Sequence, residues 1–214
     1  MDYKRARNLP EIFFQQAEKL DENPFLWAKK DGTYQAWTWS RVRREVICLA
    51  TALDRFGVKP GDRVLLVSEN RPEWFVADFA IMSLGAITVP AYTTNRPGDH
   101  LHILTDSGAC AAIVSTEQLA QPLREALREA PHCPHLIAME PLAEGEASPK
   151  TVLWQELLEQ GTDSSATLEA RIAAIAREDV ACLIYTSGTG GAPKGVMLSH
   201  GNILANCLSA HDLL

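Results

Sequence analysis

An α/β fold, a mostly parallel sheet flanked by helices, is what this chain of 214 residues predicts. Three observations predict it. Short apolar runs recur at 63–68 (RVLLVS), 87–90 (ITVP), 111–115 (AAIVS), 135–139 (HLIAM) and 180–185 (VACLIY), each with the length of a buried strand. Segments of helical periodicity separate them, and strands alternating with helices give parallel sheets covered by helices. A run rich in glycine and hydroxyl residues, 185–195 (YTSGTGGAPKG), follows the last of these strands directly.

In chain order, residues 10–20 predict a short helix with Ile12, Phe13, Ala17 and Leu20 on its apolar face. FLWAKK and TYQAWTW, separated by Asp31-Gly32, predict a hairpin, because that pair tolerates the positive φ angles of a tight turn. Ser40 is the expected N-cap of a helix that buries Val42, Val46, Leu49, Ala50, Leu53 and Phe56 and stops at Gly57. Beyond the strand at 63–68, a helix at 72–84 opens on proline and ends at Gly85. Further helices are expected at 98–105, 117–130, 154–159 and 168–176, and a surface loop at 140–150. Apolar residues resume at 196–198 and 202–208, and the last of them lack a later partner. The chain therefore predicts an incomplete fold, a fragment of a longer reading frame.

Hydrophobic residues at 46% and charged residues at 22% are ordinary for a globular chain. A formal charge of -7 argues against a nucleic-acid partner, which calls for a basic face. No apolar run approaches a membrane span, and the N-terminus has no leader pattern, so a cytosolic protein is expected. The five cysteines are scattered within apolar segments, as reduced thiols rather than a disulfide framework.

Thr186, Ser187, Gly188, Thr189, Gly190, Gly191 and Lys194 have the chemistry of a polyphosphate cradle. Glycines let the backbone approach a ligand closely, successive N–H groups converge on anionic oxygens, hydroxyls donate, and a lysine adds charge. The loop is not a Walker A motif, because Lys194 precedes Gly195 rather than Ser or Thr. Nor is it a dinucleotide loop, since the sixth position counted from Gly188 is Pro193. A plain Gly/Ser/Thr linker is the bland alternative, but linkers seldom follow a buried strand so abruptly.

The loop and its tail Ser199-His200-Gly201-Asn202 resemble the signature of the acyl-activating (ANL, AMP-forming) superfamily: acyl-CoA synthetases, peptide-synthetase adenylation domains and beetle luciferases. The family form is close to T-S/T-G-S/T-T-G-x-P-K-G, preceded by Tyr or Phe; Gly190 stands where Thr is common. WTWSRVRR at 37–44 resembles an early family element, and the block from Gly57 through Arg71-Pro72-Glu73-Trp74 to Tyr92-Thr93-Thr94 is most similar to bacterial long-chain fatty acid–CoA ligases. The resemblance implies the N-terminal portion of an AMP-binding domain over 1–214. It implies attack of a fatty carboxylate on ATP, giving an acyl-adenylate and pyrophosphate, then displacement of AMP by coenzyme A. It places Thr186 near Mg²⁺ and the loop on the β- and γ-phosphates. The family's Tyr-Gly-x-Thr-Glu element, ribose-binding aspartate and C-terminal lid would lie beyond Leu214, so this chain alone holds no catalytic residue and is expected to be inactive. An acyl-AMP ligase, an adenylation domain and a non-catalytic nucleotide-binding remnant remain as alternatives. Long-chain substrates partition into bilayers, which leaves room for peripheral membrane contact.

Other constellations have plainer readings. His132-Cys133-Pro134-His135 reads as a surface turn, since four zinc ligands at structural spacing are missing. His100 and His102 point to different faces of one helix. His200 reads as a structural or substrate-adjacent residue. The five tryptophans stand outside basic contexts and read as core, and Glu69, Glu73 and Asp78 as a solvated loop and helix face.

Overall fold

The computed structural model describes residues 4–143, 150–160, 165–187 and 192–213. The N-terminal helix α1, Leu9–Leu20, is capped by the Asn8 side chain, which accepts the Glu11 N–H. Strands β1 (Pro24–Lys30) and β2 (Thr33–Thr38) form the expected hairpin. Asp31 and Gly32 both have positive φ, 51° and 81°, as the turn requires. The hairpin docks through aromatic side chains: Phe25 stacks on Trp39, and Phe13, Phe75 and Phe79 close around them.

Helix α2, Trp39–Arg55, buries the predicted face, Val42, Val46, Leu49, Ala50 and Leu53, with Phe56 packed against it. Its start corrects the sequence reading. Thr38, not Ser40, is the N-cap, its hydroxyl accepting the Arg41 N–H at 3.2 Å, while Ser40 donates to Glu22. The register differs because both residues have capping side chains, and the β2 ladder runs up to Thr38.

The main body is a seven-stranded sheet. It comprises β3 (Arg63–Val67), β4 (Ile87–Ala91), β5 (Ala111–Val114), β6 (His135–Ala138), β7 (Lys150–Leu153), β8 (Val180–Thr186) and β9 (Lys194–Ser199), in the order β7-β6-β5-β3-β4-β8-β9. Every pairing is parallel except β8 with β9. Connecting helices are α3 (Pro72–Ser83), α4 (Pro97–Ser107), α5 (Glu117–Arg128), α6 (Trp154–Gln160) and α7 (Ser165–Ala174), and α8 (His200–Leu213) follows β9.

Alternate residues of β3 enter different cores. Val64 and Leu66 pack with α1, α2, α3, α6 and α7, whereas Leu65 and Val67 pack with α4 and α5. That division explains why these strands read as continuous apolar runs: both faces are covered. The chain steps from β3 to β4 on one side and returns to place β5 on the other, so the loops after β3 and β5 diverge at a switch point. There Ser115 donates to Glu69. No helix among the described residues is long and apolar enough to cross a membrane.

Several smaller expectations change. Strand β7 begins inside the segment read as a loop, of which residues 144–149 lie outside the described part. The helix expected at 168–176 occupies Ser165–Ala174. The His132–His135 turn is not a surface feature throughout: Cys133 is buried, His135 stacks on Phe56, and His132 bonds the Leu104 carbonyl. Glu69, Glu73 and Asp78 are not simply solvated. Glu73 pairs with Arg71, and burial pushes the Asp78 carboxyl up to about 6, the neighbouring Thr88 hydroxyl opposing this without reaching hydrogen-bond geometry. Burial opposes ionisation of Glu69 most strongly, but the hydrogen bonds from Ser115, its own backbone and Ser68, with the charge of Arg71, together hold that carboxyl below its ordinary range.

Trp27 is exposed rather than core. It lines a cleft of about 810 Å³ with Lys29, Lys30, Arg41 and Arg71, and the Arg41 guanidinium lies 3.5 Å from the Trp37 ring centre. All five cysteines are free thiols; Cys133 is buried and the others are partly covered. Burial drives the Cys133 and Cys182 thiols up to about 12 and about 11, which makes them poor nucleophiles.

Candidate phosphate-binding site

β8 carries the chain to the carboxyl end of the parallel strands, where ligands of open α/β sheets bind. Its register with β4 pairs Thr88 with Cys182, and β8 runs between β4 on one side and β9 on the other. The antiparallel ladder continues to Tyr185 opposite Gly195 and Thr186 opposite Lys194. Two residues assigned to the loop from sequence, Lys194 and Gly195, therefore belong to a strand. Gly188, Thr189, Gly190 and Gly191 lie outside the described residues.

Directly opposed residues in a ladder project to the same face. Thr186 and Lys194 are such a pair at the neck of the loop, both exposed, and Lys194 makes no ion pair among the described residues. Ser187, the next residue, is exposed as well. A hydroxyl and an ammonium are thus presented side by side at the mouth, with a backbone geometry that the ladder holds.

The opposite face of the neck is closed. Tyr185 is 4% exposed and its ring lies over Gly195, where an added Cβ would come within 3.2 Å of Tyr185 Cζ and 3.0 Å of Leu183 Cδ1. The last glycine of the motif thus gives the tyrosine room. The Tyr185 hydroxyl donates to Asp106 Oδ2 at 2.6 Å. Burial first, then this carboxylate, hold the phenol well above the usual tyrosine range, so it remains a donor. On the far stem, His102 Nε2 lies 2.7 Å from the Pro193 carbonyl. A carbonyl only accepts, so Nε2 carries the proton. The His102 ring also meets Tyr185 edge to face.

Sequence reasoning missed His102 and Asp106. They lie 91 and 79 residues from their partners, on a helix that the sequence places far from the loop. Their four-residue spacing places them on one helix face, but no feature of a single sequence says which strand that face meets. His200 is buried, its N–H donates to the Asp179 carbonyl, and its Nδ1 accepts the Leu9 N–H at 3.4 Å. Burial pushes its imidazole down to about 4, so it is neutral and ties α8 to the start of α1.

With this geometry in place, the chain can be set beside known proteins. Residues 13–213 match the AMP-binding enzyme family. The long-chain-fatty-acid–CoA ligase FadD15 of Mycobacterium tuberculosis is 35% identical over 175 residues, covering 81% of this chain and 28% of that protein. The peroxisomal long chain acyl-CoA synthetase 7 of Arabidopsis thaliana is 32% identical, covering 96% and 30%. Among solved structures, the anthranilate CoA ligase AuaEII in complex with anthranoyl-AMP superposes with a TM-score of 0.76 at 26% identity, covering 94% of this chain and 36% of that one. A benzoate CoA ligase of Burkholderia xenovorans LB400 gives 0.75 at 26% identity, with the same coverage. The chain spans about 30% of the length of the curated relatives it matches. A family match running over nearly the whole chain, joined to a parallel sheet that delivers a glycine-rich hairpin to its carboxyl edge, makes this chain a member of the AMP-binding enzyme family.

Proposed function

We propose that the chain is the phosphate-gripping, N-terminal portion of an adenylate-forming ligase that activates a fatty acid with ATP and transfers it to coenzyme A. The observation that carries this reading is the pairing of Thr186 with Lys194 across the loop neck, in a chain of the AMP-binding family. A carboxylate attacks the α-phosphorus of ATP, pyrophosphate leaves, and the thiol of coenzyme A then displaces AMP from the acyl-adenylate. The charge that must be held in the first step sits on the departing polyphosphate. Lys194 neutralises part of it, and Thr186, Ser187 and Thr189 donate hydroxyl hydrogen bonds. Gly188, Gly190 and Gly191 are assigned to backbone contacts with the phosphates.

The donor set fits Mg²⁺, which binds proteins through one or two oxygen ligands while keeping water and substrate phosphates; Thr186 Oγ1 is the oxygen offered at the neck. Bound there, the ion would neutralise charge on the phosphate oxygens. The adenine platform, the lid and the catalytic residues are assigned to sequence outside this chain, so the chain alone binds nucleotide without turning over. Fatty acid is favoured as the acyl substrate because the long-chain ligases are the relatives of higher identity. We place the protein in the cytosol, with a lipid substrate that allows contact with a bilayer surface and no nucleic-acid partner.

Calorimetry with Mg·ATP tests the grip. Lys194→Met should weaken binding about tenfold, and Thr186→Val about fivefold, as expected for a lost charge-assisted and a lost neutral hydrogen bond. Wild-type affinity in both variants would remove the assigned roles. In the longer enzyme, ATP–pyrophosphate exchange supported by amino acids or benzoate but not by fatty acids would overturn the substrate.

A further inference from the structure

We propose that His102 and Asp106 are positioning residues: one face of α4 holds both stems of the phosphate loop and sets where its mouth points. The inference rests on the loop's reading as a phosphate grip and extends it to residues outside the motif.

Four observations carry it. First, β8 runs beside β4, but the register pair that joins the two strands is at Cys182, before the loop. The β8–β9 ladder fixes the width of the neck but not its direction relative to the sheet. Second, the entering stem is fastened by Tyr185 to Asp106, and the leaving stem by Pro193 to His102. Third, the two fasteners are one helical turn apart, so they share a face and move together. Fourth, α4 is itself fixed. Arg63 in β3 donates from Nε to the Ser107 carbonyl at 2.6 Å and from Nη2 to the Gly108 carbonyl at 3.0 Å, covering the carbonyl end of the helix. A carboxylate in the last turn of a helix opposes the helix dipole. Asp106 occupies such a position, and what it gains there is the Tyr185 hydroxyl.

The physical consequence is a rigid path from the central strand β3 through Arg63 and α4 to both sides of the loop. Neither residue touches phosphate. Each acts by fixing the backbone from which Thr186 and Lys194 reach out.

The test uses the whole chain with His102→Leu, His102→Gln, Tyr185→Phe and Asp106→Asn. Magnesium pyrophosphate affinity is measured by calorimetry, fold integrity by thermal melting, and amide exchange at Thr186, Lys194 and Val196 by NMR or mass spectrometry. His102→Leu should weaken pyrophosphate binding about 5- to 10-fold and speed exchange at these amides, as for one lost hydrogen bond that orders a site. His102→Gln, which keeps an N–H donor, should recover most of the loss. Tyr185→Phe, which keeps the ring over Gly195, should behave as Asp106→Asn does, because both weaken one link. A merely structural role would lower the melting temperature equally in the Leu and Gln variants without this rescue. Wild-type affinity and exchange in His102→Leu would overturn the inference. If the wild-type chain itself ignores pyrophosphate, the phosphate reading falls, while the exchange rates still decide whether α4 holds the stems.

Discussion

Gly195 shows how closely the site's chemistry depends on packing. A methyl at this position must displace Leu183 or the Tyr185 ring, both within 3.2 Å of it. Gly195→Ala should therefore cost about 1–2 kcal/mol in urea unfolding, as overpacking does, and should loosen the Tyr185 hydroxyl from Asp106. The glycine was legible in the sequence as part of a motif, but not its reason. Composition suggested a backbone turning around phosphate, whereas the residue lies in a regular strand and is small because an aromatic ring crosses it. Thr186, Ser187 and Lys194 could be proposed from the sequence because hydroxyls and a lysine around glycines have a recognisable chemistry. His102 and Asp106 were not, because their significance comes from the meeting of α4 with β8, which only the folded chain shows.

At the scale of elements, the buried strands were read correctly because sheets covered on both faces leave unbroken apolar runs. β7 escaped because it is short, edge-placed and half polar, with Lys150 and Thr151 exposed, and so has no such run. β9 was visible only as a return of apolar residues, since Lys194 and Gly195 at its start belong to the loop's motif and masked the strand boundary. The start of α2 offers a direct measurement of a similar ambiguity. Thr38→Ala should destabilise the protein by about 1 kcal/mol through loss of the cap, whereas Ser40→Ala should cost less, about 0.5 kcal/mol, losing an exposed bond to Glu22. Equal costs in urea titrations of the two variants would mean that Thr38 is not the dominant cap.

For the whole molecule, buried titratable groups set the response to pH. His100 and His200 are both pushed down to about 4 by burial. Because their folded values lie below the ordinary 6.5, the stability they hold is present above that pH and is lost as pH falls toward 4. Asp78 has the opposite sign. Its folded value of about 6 lies above the ordinary 3.8, so its contribution is fullest at low pH and fades as pH rises through 6. Two histidines outweigh one aspartate, and the unfolding free energy should fall by roughly 2 kcal/mol between pH 7 and pH 5. His200→Asn should flatten that slope, and Asp78→Asn should steepen it; urea titrations at the two pH values read both. The single register pair between β4 and β8 has a consequence of another kind. The hairpin that carries the loop packs along β4 but shares one register pair with it, so an opening there breaks little of the ladder and is expected to behave as a unit of its own. Its amides should exchange with solvent through a partial opening that leaves β3 and β5 intact, and a ligand bound in the mouth should close that opening before it raises the stability of the rest.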